Sequence, residues 1–196
     1  MMKVKFFVED NAHVRFLIDY VAEHFQISLD TVADFYKLNS WAGYKQGGKA
    51  FPDYELNTNS GITNITILDA DNSPEERRDT VKEDFVNLNI QSQLFLFPDN
   101  KHVGTIETLL ATIAVDRKII ECFEVYEKCI EGYEKPVTKS KIFAYLDALL
   151  ENKYKKNNSK DLRQEQNRNY RNQAHWDLHN EALKPLYDFL APFFAE

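Results

Sequence analysis

Three short apolar runs stand out in the first hundred residues: "VKFFVE" (Val4–Glu9), "GITNITILDAD" (Gly61–Asp71) and "QLFLFP" (Gln93–Pro98). Each is close to continuous in its apolar core and rich in β-forming residues. That is the pattern of strands covered on both faces, as in a parallel sheet. Between them the apolar positions change to helical spacing. Val14, Leu17, Ile18, Val21 and Phe25 predict a helix capped by Asn11. Ser73-Pro74-Glu75-Glu76 predicts the start of another, with Ser73 as cap, Pro74 in the first helical position and Glu76 completing the S-x-x-E box. Its inward face is Val81, Phe85 and Leu88.

Fainter patterns predict a strand around Phe35–Leu38, a short helix over Pro52–Leu56 and a helix beginning near Thr105. Helical segments follow over about 116–132, 138–154 and 180–190, with Pro185 in the first turn of the last or marking a kink. Strands alternating with helices indicate an α/β fold with a mainly parallel sheet. The expected organisation is one domain over 1–196, with an α/β core over 1–115 and a helical C-terminal portion over 116–196.

Composition agrees with a folded chain: 43% of the 196 residues are hydrophobic, including 14 Phe and 10 Tyr, enough for a real core. The first apolar run meets Glu9 and Asp10 too early for a signal peptide. No run approaches the roughly 18 apolar residues of a membrane span, so a cytoplasmic protein is expected. Cys122 and Cys129 would share one helical face, two turns apart, and read as small buried apolar residues. The net charge of −7 is uneven. Asn152–Arg171 holds seven basic residues against two acids, leaving 17 basic against 29 acidic elsewhere. Such a strip can contact nucleic-acid phosphates, although its polarity favours a solvated loop.

The candidate chemistry lies where strands end, because ligands of open parallel sheets collect at the carboxyl ends. Glu9 ends the first run, and Asp69 and Asp71 end the second. Residues i and i+2 of an extended segment point the same way, so both aspartates can face one cation. Mg²⁺ takes one or two protein carboxylates and completes its shell with water and phosphate. Carboxylates clustered without a cation repel each other.

"FFVEDNAHVRFL" followed by "ITILDADNS" resembles a TOPRIM domain, the catalytic module of topoisomerases, primases and OLD-family nucleases. The match is nearest to a family of small prokaryotic TOPRIM-like proteins, in which "FLFPDNKHVGTIETLL" and "HWDLHNEALKPLYDFL" also resemble typical blocks. The resemblance implies a TOPRIM-like, Rossmann-like sheet. Glu9 would be general acid/base or metal-assisting carboxylate, and Asp69 and Asp71 would hold Mg²⁺ or Mn²⁺. Glu107 would join the metal shell or else serve the dipole of the helix it opens. The chain departs from the pattern at Asp10, where Gly is usual, and at His13, where an acid is expected. Lys45 and Lys49, around Gly47-Gly48, and Lys141 are candidate phosphate contacts; no P-loop is present. His175 and His179 have the i,i+4 spacing of a helical zinc pair but lack an evident third ligand.

Three functions follow as expectations. The first is a Mg²⁺-dependent nuclease. The second is a non-catalytic TOPRIM-like binding or regulatory module beside an ATPase partner. The third is a haloacid-dehalogenase-type phosphatase with Asp69 as nucleophile. The last is weakened by the position of its motif and by Ser73 following it.

Overall fold

A computed structural model describes residues 3–42, 51–134, 139–149 and 161–194. Lys45, Lys49 and the lysines of the basic strip at 153, 155, 156 and 160 lie outside the described residues.

The three apolar runs are strands β1 (Val4–Val8), β3 (Thr63–Asp69) and β4 (Gln93–Phe97), and β2 (Phe35–Lys37) completes the sheet. All pairings are parallel, and the order is β2-β1-β3-β4. The helices are α1 (Asn11–Phe25), α2 (Phe51–Asn59), α3 (Pro74–Asn87), α4 (Ile106–Ile113), α5 (Arg117–Cys129), α6 (Lys139–Ala148) and α7 (Lys184–Phe194). The chain is therefore α/β, with a four-stranded, all-parallel sheet flanked by helices in a Rossmann-like layout.

Successive side chains of each strand supply opposite faces. Phe6, Val8, Ile65, Ile67, Phe95 and Phe97 join α1, α4 and the C-terminal helices in one core cluster. Phe7, Leu68 and Leu96 join Trp41, Tyr54, Val81 and Phe85 in the other. The helical C-terminal portion thus covers one face of the sheet rather than standing apart: Trp176, Leu186 and Leu190 are buried in the first cluster. A buried polar clasp fixes β3 beside α2. Asn64 is 2% exposed; its Nδ2 donates to Tyr54 O and Gln91 O at 3.0 Å, and its Oδ1 accepts from Asn57 Nδ2 at 2.9 Å.

Several local expectations change. Asp10, not Asn11, caps α1, its Oδ1 accepting from Ala12 N at 2.8 Å; Asp10 has the extended backbone of an N-cap, whereas Asn11 is already the first helical residue. Ser73 does cap α3, accepting from Glu76 N at 3.4 Å, with Pro74 first in the helix. Cys122 and Cys129 are exposed, because α5 lies outermost and among its residues only Ile120 is buried. His175 and His179 are not on a helix: the chain there runs through turns, with Trp176 alone bridging to Ala114. The described arginines of the basic strip are engaged by the chain itself, Arg163 at the surface with Asp161 and Asp147. Arg168 is buried and donates to Leu162 O, Arg163 O and Tyr170 Oη, while Arg171 pairs with Glu23.

Candidate metal centre at the carboxyl edge of the sheet

The connection after β1 runs outward to β2, and the one after β3 runs the opposite way to β4. Between β1 and β3 the winding reverses, which opens a crevice at their carboxyl ends. Glu9 follows β1 and Asp69 ends β3, so both candidate acids stand at that crevice. They touch: Asp69 N donates to Glu9 Oε2 at 3.2 Å across 60 positions of sequence.

Each face of the sheet contributes a cationic or potentially cationic group. From α1, the His13 ring is 1% exposed, with Nδ1 2.9 Å from Asp10 Oδ1 and Nε2 3.3 Å from Asp69 Oδ1. From α3, Arg77 Nη2 donates to Glu9 Oε1 at 2.7 Å and lies 4.0 Å from Asp71 Oδ2. One ligand atom each from Glu9, His13 and Asp69 lie within 4.8 Å of one another, and this group can hold a metal ion. Asp69 Oδ1 also accepts from Ile106 N at 2.8 Å, at the start of α4.

The electrostatics follow from burial and these neighbours. Burial and the nearby Asp69 carboxylate raise the Glu9 pKa above the usual value, against the pull of His13 and Arg77. Burial opposes a charged His13, yet Asp69 and Asp10 outweigh it and push its pKa up to about 10. Burial works against an ionised Asp10 too, but His13 and Lys139 hold its carboxyl well below the ordinary range. Positive charge beside Asp69 is thus strongly favoured, whether a proton on His13 or a bound cation supplies it.

The other expected residues divide. Asp71 does not continue the strand: it is left-handed at φ 55°, hydrogen-bonds through its backbone with Gly104, and its side chain is 57% exposed. The i, i+2 argument therefore fails for it, because β3 has already ended; it reaches the centre only through Arg77. Glu107 is buried in the first turn of α4, accepts from Thr105 Oγ1 at 2.9 Å, and sits 3.7 Å from Lys139 Nζ. It belongs to a neighbouring cluster in which Lys139 also meets Asp10 at 3.1 Å and Glu165 at 3.6 Å. Lys141 pairs with Glu124 and Glu127 on α5, away from the crevice. Sequence reasoning missed Arg77 and Lys139, whose roles depend on tertiary contacts, and treated His13 only as a departure.

Comparison with known proteins yields no matching family model, no matching curated protein and no matching solved structure. The class that fold and site define is accordingly the broad one: a Rossmann-like α/β protein with a candidate metal centre at its topological switch point.

Proposed function

We propose that this chain is a divalent-metal-dependent, phosphodiester-cleaving protein of TOPRIM type, a nuclease. The observation that carries the reading is the meeting of Glu9 and Asp69, two acids 60 residues apart, with His13 beside them at the switch point. A divalent ion there would supply Lewis-acid stabilisation of charge on a scissile phosphate. The donor set fits such an ion: two carboxylates, and a buried imidazole nitrogen without a hydrogen-bond partner. Asp69 would hold the ion, and Glu9 would move the proton. Its raised pKa suits it to take a proton from an attacking water and return one to the leaving oxygen. Arg77, at the mouth of a shallow pocket of about 280 Å³ lined by Asp71, Asn72, Ser73 and Thr80, is placed to pair with a phosphate oxygen once it leaves Glu9.

A second reading rests on a specific observation. Arg77 already neutralises Glu9, and a protonated His13 already neutralises Asp69. A centre compensated in this way describes a binding or regulatory module that needs neither metal nor catalysis, including one that works beside an ATPase. One assay separates the two. Plasmid and single-stranded DNA are incubated with the protein and Mg²⁺ or Mn²⁺, beside Glu9→Gln and Asp69→Asn. Cleavage by wild type alone supports the nuclease; no cleavage with either ion supports the module.

A further inference from the structure

Among the described residues, two buried side-chain atoms lack a hydrogen-bond partner, His13 Nε2 and Arg77 Nε, and both belong to this crevice. The histidine is the more informative. Its ring is 1% exposed and cannot turn freely, being wedged against Phe97 at a centroid distance of 5.3 Å. Nδ1 is engaged by Asp10 Oδ1, a carboxylate itself fixed as the N-cap of α1 and gripped by Lys139. A bound metal would take the place of the Nε2 proton that faces Asp69 in its absence, with Nδ1–H still donating to Asp10. A carboxylate behind one ring nitrogen, leaving the other to the ion, is how metal-ligating histidines are oriented. The spacing agrees: two donors bound at about 2.1 Å and at right angles lie about 3.0 Å apart, and His13 Nε2 is 3.3 Å from Asp69 Oδ1.

We propose that His13 is a direct ligand of the ion, that Asp10 is its positioning residue, and that the centre therefore selects a nitrogen-accepting transition ion such as Mn²⁺ over Mg²⁺. This rests on the reading that the crevice takes a divalent cation. Mg²⁺ favours all-oxygen shells and retains its waters, whereas imidazole favours first-row transition ions, Mn²⁺ least among them, which makes Mn²⁺ the stringent probe of a nitrogen ligand.

Calorimetric titration of metal-free protein with Mn²⁺ and with Mg²⁺ provides the first test, and pulsed electron paramagnetic resonance of the Mn²⁺-loaded protein the second. Mn²⁺ should bind at least about tenfold tighter than Mg²⁺, and the spectrum should show ¹⁴N coupling that becomes ¹⁵N coupling when histidine alone is ¹⁵N-labelled. This labelling needs no mutation, so it stands even if a His13 variant misfolds. His13→Gln should abolish the coupling. Asp10→Asn keeps an N-cap acceptor and should weaken Mn²⁺ binding by about 10- to 100-fold, with Mg²⁺ binding little changed. Equal affinity for the two ions, or no histidine coupling, overturns the proposal. Coupling without DNA cleavage would support His13 as ligand and defeat the nuclease reading. Mg²⁺-dependent cleavage undiminished in His13→Gln would do the reverse.

Discussion

Replacing Arg77 by methionine separates a structural ion pair from a resident cation that a metal can displace. Arg77 Nη2 lies 2.7 Å from Glu9 Oε1, with side-chain exposures of 22% and 16%. Removing one partner of a fully buried pair costs about 3–5 kcal/mol. Residual exposure and the Asp69 N–H that Glu9 keeps reduce this, so about 2 kcal/mol is expected in the absence of metal. For a chain of 196 residues that is a fall in Tm of about 4–8 °C. Metal changes the comparison. At one Mn²⁺ concentration that saturates both proteins each gains RT ln([Mn²⁺]/Kd); the wild-type Kd carries the loss of the Arg77–Glu9 bond, and a wild-type Kd about tenfold weaker takes about 1.4 kcal/mol off the gap. The variant should therefore bind Mn²⁺ more tightly, and the stability gap should shrink below about 1 kcal/mol at saturation. Urea unfolding in EDTA and in MnCl₂ measures both gaps. A gap of the same size in the two conditions, or none in EDTA, would refute the displaceable-cation argument.

Other consequences concern the scaffold and its titration. Gly104 has φ 136°, and a Cβ there would meet Thr108 Oγ1 at 2.7 Å; Gly104→Ala should cost about 1–3 kcal/mol and loosen the Asp71 turn, read by thermal melting. In metal-free protein the folded-state pKa of His13, about 10, exceeds its ordinary 6.5, so its stabilisation is complete below about pH 6.5 and is lost as pH rises toward 10. Stability should fall by up to about 1.4 kcal/mol per pH unit in that window, and His13→Gln should flatten the slope. Asn64→Ala leaves Tyr54 O and Gln91 O without the Asn64 amide and should lower urea stability by about 1–3 kcal/mol.

How much was legible in the sequence depended on the range of the interaction. Strands β1, β3 and β4 follow from apolar runs, and the start of α3 from Ser73-Pro74, because burial on two faces and helix capping are written in neighbouring residues. The meeting of Glu9 and Asp69 was legible as well, since parallel strands place their carboxyl ends on one edge. Arg77 was not: its place opposite Glu9 depends on which face α3 covers, a matter of sheet order. Asp71 misled for a related reason. Strand periodicity extends only as far as the strand, and the left-handed turn after Asp69 sends the second aspartate toward solvent. The exposed cysteines of α5 follow likewise from an amphipathic helix that packs only its Ile120 edge inward.

Anomalous diffraction from crystals grown with Mn²⁺ tests most directly whether Glu9 and Asp69 form a metal centre. A single strong peak is expected among Glu9, His13 and Asp69, with the Arg77 guanidinium moved off Glu9. A crevice with no peak at saturating Mn²⁺, and Arg77 still bonded to Glu9, would contradict it.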